Sequence, residues 1–321
     1  MIEKYTGDPE LDISVVLPVY NESGNLRTFI PELSAALQAI GRSYEIIAVD
    51  DGSKDDSLEV LRELKEDEPN LRIISFRRNF GQTAGFAAGF DLSRGRYVIT
   101  MDADGQNDPA DISRLLDVMD EGYDIVSGWR QDRKEPFLSR RLPSMIANRI
   151  IGRSTGVVLH DYGCSLKVYH RDVAKHVNLY GELHRFIPAL ASGIGVRVAE
   201  VPVNDRPRVY GKSKYNISKT VRVILDLVTI TFLLSYLARP MQLFGLAGLV
   251  SGGVGFAMAL YLTLLKVLTG ADIGSRPLLS LAILLMILGV QFLIMGLLGE
   301  IQARTYFEVQ NKPIYVIRSE E

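Results

Sequence analysis

The residues best suited to chemistry follow the apolar run Tyr97–Met101, which predicts a buried strand. Asp102 and Asp104 begin where that strand stops, and side chains two residues apart point the same way in extended backbone. With the amide of Gln106 they offer the hard oxygen ligands that Mg²⁺ or Mn²⁺ prefers, and such an ion could bind a diphosphate. The alternative is a plain polar turn, because Asp108 and the proline after it make a good helix start.

Two more polar clusters follow predicted strands. They consist of Pro18, Tyr20 and Glu22 after the strand Ile13–Val19, and of Asp50, Asp51 and Ser53 after the strand Tyr44–Val49. Each cluster alone could be turn chemistry, since Asn, Asp, Ser and Gly are ordinary turn residues. Open α/β sheets bind ligands at the carboxyl ends of their strands, so three clusters in such places favour a binding site.

The first half of the chain alternates short apolar strands with helix-patterned segments. This alternation predicts an α/β fold with a mostly parallel sheet and helices on both faces. Glycine fingerprints of other nucleotide-binding folds are missing. No G-x-G-x-x-G follows the first strand. Gly211-Lys212-Ser213 matches the end of a P-loop, but Arg206 stands where the first glycine of that motif is needed. Gly81, Gly85 and Gly89 recur every four residues and predict a helix face that permits close packing.

Composition excludes several classes of protein. The 321 residues suffice for one large domain and something more. A net charge of −2 argues against a dedicated nucleic-acid binder. The single cysteine, Cys164, excludes an intramolecular disulfide framework and a cysteine-cluster metal site. The polar, acidic stretch Met1–Asp12 is not the pattern of a signal peptide.

Apolar residues are concentrated near the C-terminus, and they raise the mean hydropathy to +0.11. Met241–Leu265 and Pro277–Gly299 contain no charged residue, and each can cross a bilayer core of about 30 Å as a helix. Two buried helices of a soluble protein are the alternative, which such long uncharged runs disfavour. Ile217–Leu237 is amphipathic at its start and suits the membrane interface.

These motifs together resemble a known family. Pro-Val-Tyr-Asn-Glu, Asp-Asp-Gly-Ser and Asp-Ala-Asp, then Gly-Lys-Ser-Lys-Tyr and two C-terminal spans, are similar to those of polyprenyl-phosphate glycosyltransferases. That family includes dolichyl-phosphate mannose synthases and bacterial undecaprenyl-phosphate sugar transferases. The resemblance covers nearly the whole chain, and Asp161–Cys164 and Gly181–Pro188 are most similar to the branch with aminoarabinose-type transferases. Gly105 departs from the pattern, because relatives often have Leu there.

The resemblance implies a glycosyltransferase-A fold and a reaction. A sugar linked to UDP or GDP would pass, with inversion, to an undecaprenyl or dolichyl phosphate. The resemblance assigns the following roles: nucleotide binding to Pro18, Tyr20, Glu22, Asp50, Asp51, Ser53 and Asp102, metal binding to Asp102, Asp104 and Gln106, acceptor-phosphate binding to Arg130, Arg208, Ser213 and Lys214, and catalysis to Asp104, Asp161, Arg130 and Arg208. Asp161 could be a base or a positioning group, and a capping or salt-bridged aspartate is the alternative.

Four parts are predicted along the chain. They are a catalytic domain at 1–210, interfacial helices at 211–238, two transmembrane helices at 239–302 and a cytoplasmic tail at 303–321. Basic residues flank the two spans on their outer sides, while the loop between them has only Lys266 and Arg276 nearby. The positive-inside rule then places the catalytic domain and both termini in the cytoplasm, with the spans in the plasma (inner) membrane.

Small residues recur every four positions in the first span. The stripe consists of Ala247, Ser251, Gly255 and Ala259, beside Gly248 and Gly252. Such a stripe lets helices approach closely in lipid, and the family resemblance suggests a homo-oligomer such as a tetramer. The alternative is that the stripe serves packing between the two spans of one chain.

Rival functions differ in features that the sequence shows. A processive polysaccharide synthase usually carries a Gln-x-x-Arg-Trp motif, but the only tryptophan, Trp129, follows Ser-Gly. A membrane scaffold that binds a nucleotide sugar without turnover would not need both Asp102 and Asp104. A transporter is disfavoured because neither span carries a charged residue.

Overall fold

The computed structural model describes residues 9–131, 148, 151–152, 155–177, 179, 183–207, 240–270, 272–274 and 276–309. The chain divides into two compact units, Met1–Ile230 and Thr231–Glu321. The amphipathic segment Ile217–Leu237 lies outside the described residues.

The first unit alternates strands and helices as its sequence predicts. Its elements in chain order are β1 (Leu11–Val19), α1 (Ser23–Ile40), β2 (Tyr44–Asp50), α2 (Ser57–Asp67), β3 (Leu71–Ser75), α3 (Gln82–Leu92), β4 (Gly95–Thr100), α4 (Asp111–Asp120), β5 (Ile125–Arg130), β6 (Lys167–His170), α5 (Arg171–His176), a 3₁₀ turn (Leu183–Phe186), α6 (Ile187–Ala191), a second 3₁₀ turn (Ser192–Ile194) and β7 (Val198–Val203).

The strands form one seven-stranded sheet in the order β3-β2-β1-β4-β6-β5-β7. All neighbouring pairs are parallel except those of β6, which runs antiparallel to both β4 and β5. The prediction of a mostly parallel α/β sheet is confirmed. Because β6 is reversed, the chain just before it lies at the same sheet edge as the carboxyl ends of the other strands.

The sheet has a buried core on each face because side chains alternate along its strands. Val15 and Leu17 of β1 belong to the core covered by α1, α2 and α4. Val16 faces the other core, which α3, α5 and α6 cover. Strands buried on both faces read as continuous apolar runs, as β1 and β2 do.

Helix α3 lies unusually close to β1, as its glycine spacing predicts. A Cβ atom on Gly89 would stand 2.1 Å from Cγ1 of Val16, and one on Gly85 would stand 2.9 Å from Cβ of Pro18. Neither position has room for a side chain, so glycine is needed for this approach. The contact brings the start of α3 to the end of β1, where the first polar cluster begins.

The second unit contains two long helices, α7 (Pro240–Thr269) and α8 (Pro277–Val309). By length and composition, Pro240–Thr269 and Pro277–Ala303 can each cross a membrane, as predicted.

The small residues of α7 pack against α8 of the same chain. A Cβ on Gly289 would lie 2.7 Å from Cα of Gly252, and the Ser251 hydroxyl donates a 2.9 Å hydrogen bond to the carbonyl of Leu285. This is the alternative considered above for the stripe. The homo-oligomer stays a prediction.

Candidate active site

A cavity of about 280 Å³ opens where β1 and its neighbours β2 and β4 end. It is lined by Pro18, Val19, Tyr20, Glu22, Asp51, Asn79, Gly81, Gln82, Asp102, Ala103 and Asp104. Residues from all three predicted clusters therefore meet at one place. The carboxyl ends of adjacent parallel strands share an edge, which explains why segments far apart in sequence converge there.

Asp50 and Ser53, predicted to bind the nucleotide, are not among the residues that line the cavity. The Asp50 carboxylate accepts 3.1 Å hydrogen bonds from the Ser53 backbone N–H and from the Ser75 hydroxyl. The Ser53 hydroxyl in turn accepts a 3.1 Å bond from the backbone N–H of Asn21. In the structure these two residues brace the loops that carry Tyr20 and Asp51.

Asp51 lines the cavity and also holds its far wall. Its two carboxylate oxygens accept hydrogen bonds from the backbone N–H groups of Phe80 (2.6 Å) and Gly81 (2.8 Å). This places Asn79 and Gln82 in the cavity wall, two residues that the motif analysis missed. Their position after a predicted strand could have identified them, because Asn79 follows β3 and Gln82 is the first residue of α3, at the same sheet edge.

The acid pair Asp102 and Asp104 lies in a turn, which corrects the expectation of extended backbone. Strand β4 ends at Thr100, two residues before the first carboxylate. The turn continues through Gly105, whose φ of +75° is a conformation that favours glycine. The Asp104 carboxylate accepts a 3.1 Å bond from the backbone N–H of Gln106, and the Gln82 amide donates to Asp102.

The electrostatics of the acid pair fit a divalent cation. Burial, and then the charge of Asp104, raises the pKa of Asp102, so two adjacent carboxylates are costly without a counter-charge. Among the described residues no group of three or more His, Cys, Asp or Glu side chains could hold a metal ion. A cation at Asp102 and Asp104 would thus keep coordination positions for oxygen atoms of a ligand. Gln106 is not among the lining residues of the cavity.

The segment after β7 clamps the loop that carries the acid pair. Arg206 forms 2.7 Å ion pairs with Glu32 and Asp108, and its backbone N–H donates a 2.9 Å bond to the carbonyl of Gln106. The backbone of Asp205 also pairs with that of Asn107. The acid loop is therefore held by the segment that follows the last strand of the sheet.

Arg130 and Asp161 form a buried ion pair at the end of β5. Arg130 Nε and Nη2 donate to the two oxygens of Asp161 at 2.8 and 3.3 Å, with side chains only 18% and 2% exposed. Burial disfavours the charged guanidinium, but the Asp161 carboxylate outweighs that effect and raises the pKa of Arg130. Asp161 is thus salt-bridged, the alternative considered for it above. Its role as base and the acceptor role of Arg130 stay predictions.

Three further residues are predicted to bind the acceptor phosphate. Arg208, Ser213 and Lys214 lie outside the described residues.

A smaller cavity of about 70 Å³ adjoins the first and shares Gln82 and Asp102 with it. Its other lining residues are Phe86, Thr100, Gly163, Cys164, Ser165, Lys167, His184, Arg185 and Ile187. The sequence motifs assign no role to Lys167, His184 or Arg185. Some of the lining residues nevertheless belong to Asp161–Cys164 and Gly181–Pro188, the two segments that are most similar to the bacterial branch.

Comparison with known proteins identifies relatives along the whole chain. Residues 14–177 match the model of the family described as Glycosyl transferase family 2. The dodecaprenyl-phosphate galacturonate synthase of Rhizobium johnstonii is 43% identical over 319 residues, covering 98% of this chain and 94% of that protein. The undecaprenyl-phosphate 4-deoxy-4-formamido-L-arabinose transferase of Edwardsiella ictaluri is 39% identical over 310 residues, covering 96% and 93%.

Solved structures share the fold at low sequence identity. The glucosyl-3-phosphoglycerate synthase of Mycobacterium tuberculosis, in complex with Mn²⁺, UDP-glucose and glycerol 3-phosphate, has a TM-score of 0.51 at 17% identity, covering 69% of this chain and 80% of that chain. The mannosyl-3-phosphoglycerate synthase of Rubrobacter xylanophilus has a TM-score of 0.53 at 16% identity, covering 69% and 74%. The expected glycosyltransferase-A fold is confirmed. The family match and the relatives aligned over almost the full length show that the chain belongs to glycosyl transferase family 2.

Proposed function

We propose that this protein is a membrane-anchored glycosyltransferase that moves a sugar from a nucleotide sugar to a polyprenyl phosphate. The observation that carries the proposal is the cavity in which Asp102 and Asp104 face the loops after β1 and β2. The two apolar C-terminal helices suit a lipid acceptor. The two relatives described above are both polyprenyl-phosphate sugar transferases, which supports the same class of acceptor.

Two sets of side chains in the cavity would bind different parts of the nucleotide-sugar donor. Pro18, Tyr20, Glu22 and Asp51 would surround the nucleoside, while Asp102 and Asp104 would hold Mg²⁺ or Mn²⁺ at the diphosphate. A bound divalent ion supplies charge neutralisation for the departing nucleoside diphosphate. The acid turn and its Arg206 clamp keep the two carboxylates in place for that task. Gln106 would assist as a third oxygen ligand.

The acceptor needs little activation. A phosphate monoester has a second pKa of about 6, so at neutral pH it is mostly a dianion and already nucleophilic. A strong general base is therefore less necessary than for a sugar hydroxyl. Arg130, Arg208, Ser213 and Lys214 are proposed to receive this phosphate, and the planar fork of arginine can bind two phosphate oxygens at once.

A panel of nucleotide sugars tests the proposal. Full-length protein in nanodiscs is incubated with UDP- or GDP-linked hexoses, hexuronates and pentoses, with or without undecaprenyl phosphate. We expect release of nucleoside diphosphate that depends on the lipid phosphate, and one lipid-linked sugar per acceptor. Growing polymer would indicate a processive synthase. Tight binding of a nucleotide sugar without turnover would indicate the scaffold.

Membrane orientation gives a second prediction. We propose that the protein is integral to the inner membrane with the catalytic domain and both termini in the cytoplasm, because nucleotide sugars are found there and basic residues flank the spans. In a variant whose Cys164 is replaced by Ala, a cysteine at Ser275 should react with an impermeant reagent in intact cells. Labelling only after lysis would contradict this orientation.

A further inference from the structure

We propose that the smaller cavity beside Asp102 binds an oxyanion of the donor, the carboxylate of an acidic sugar, and that Arg185 determines this specificity. The inference rests on the proposed function and extends it to the class of donor sugar. The same oxyanion chemistry could come from the phosphate of the acceptor, and the experiment below separates the two sources.

The position of the smaller cavity suits the sugar of a bound donor. It shares Gln82 and Asp102 with the larger cavity, so a ligand whose diphosphate lies at the acid pair can extend into it. Its volume of about 70 Å³, against about 280 Å³ for its neighbour, leaves room for a small polar group rather than a nucleoside.

Two basic side chains line the cavity, and burial lowers the pKa of one of them, Lys167. Lys167 is only 2% exposed, and its ammonium donates to the backbone carbonyls of Tyr162 (3.1 Å) and Cys164, which account for two of its three N–H groups. Arg185 is exposed and forms no hydrogen bond or ion pair with the part of the chain that the structure describes. A buried lysine amine and an exposed guanidinium that line one small cavity are a favourable setting for a carboxylate, whose charge would also favour the protonated form of Lys167.

Apart from Asp102, the remaining polar side chains of the cavity are neutral, and one contact among them fixes the turn that carries Arg185. The His184 ring is within 2.7 Å of the Thr83 hydroxyl, a contact that ties the Leu183–Phe186 turn to α3. Burial lowers the pKa of His184 to about 3, so the ring is uncharged at neutral pH. Asp102 is the one carboxylate among the described residues lining this cavity, and a cation held by Asp102 and Asp104 would oppose its charge.

The inner wall of the cavity favours the sugar over the acceptor as the source of the oxyanion. Phe86, Cys164 and Ile187 are at most 2% exposed. A phosphate that carries a polyprenyl chain needs a path for that chain, and these buried side chains offer none on their side. A carboxylate on a sugar ring needs no such path.

The experiment compares two donors that differ only at the sixth carbon. UDP-galacturonate and UDP-galactose are tested with full-length protein in nanodiscs, as wild type, Arg185→Gln, Arg185→Lys and the control Arg62→Gln, an exposed arginine on α2. Both calorimetric binding and transfer to undecaprenyl phosphate are measured. Thermal unfolding of each variant confirms that it is folded.

We expect wild type to prefer the uronate. Losing a charged hydrogen bond corresponds to about a 10- to 100-fold loss, so Arg185→Gln should lose that much affinity and kcat/KM for UDP-galacturonate while its values for UDP-galactose stay unchanged. Arg185→Lys should keep part of the preference for UDP-galacturonate. The control Arg62→Gln should keep all of it.

Three results would overturn the inference. One is equal binding of the two donors, or binding of neither, by the wild type. Another is a loss in Arg185→Gln that is the same for both donors. The third is a KM for undecaprenyl phosphate that is higher in Arg185→Gln than in the wild type with either donor, which would assign the site to the acceptor. Failure of the proposed function would look different: binding of the donor would persist with no lipid-dependent transfer.

Discussion

Asp104→Asn is expected to lower kcat at saturating donor by about 100- to 1000-fold, the range seen when one preorganised electrostatic contact to a transition state is removed. The side chain is 5% exposed and faces the cavity. Asparagine has the same shape and can still accept the hydrogen bond from the Gln106 backbone, so the turn should survive. The lost negative charge weakens metal binding where the leaving diphosphate needs it.

Two further measurements separate metal binding from general damage. Mn²⁺ should raise the melting temperature of the wild type, because a ligand that binds only the folded state stabilises it, and should do so much less in Asp104→Asn. Asp102→Asn should also be impaired, whereas Asp117→Asn, an exposed position on α4, should behave as wild type. Near-normal turnover in both cavity variants, or full activity in EDTA, would show that the metal assignment is wrong.

Arg130→Met is expected to be the most destabilising of the substitutions considered. It would leave the Asp161 carboxylate, 2% exposed, without its partner, and breaking a buried ion pair in this way typically costs about 3–5 kcal/mol. Replacing both partners removes the uncompensated charge. The double variant Arg130→Met/Asp161→Leu should therefore recover most of the free energy of unfolding, measured by chemical denaturation of the full chain in detergent.

The same variants test the acceptor role of Arg130. If Arg130 also binds the lipid phosphate, the double variant should be stably folded and bind donor but remain inactive. Arg130→Lys should lose transfer at subsaturating polyprenyl phosphate. Arg208→Lys should show the same loss. Wild-type rates in the double variant, or in both lysine variants, would contradict the acceptor-phosphate role of these arginines and leave Arg130 and Asp161 with a purely structural role.

Local sequence patterns determined the elements of this protein and much of its cavity. Apolar runs and helical spacing predicted β1 to β4 and the helices between them, because burial of a face leaves a period in the chain. The glycine spacing of α3 predicted its close approach to β1, which the contact of Gly89 with Val16 confirms. The polar residues after β1, β2 and β4 marked the cavity, since a strand's carboxyl end is where the chain leaves the sheet.

The tertiary structure alone decided which residues meet beyond that edge. A period of two shows which side chains are buried but says nothing of a strand's neighbour or direction, so the antiparallel β6 was not predictable. Its reversal brings Asp161 to Arg130 and carries Lys167 to a cavity it shares with Arg185. The Asp50 carboxylate also accepts a hydrogen bond from the Ser75 hydroxyl, a contact between β2 and β3 that the local sequence does not reveal, and its nucleotide-binding role stays a prediction.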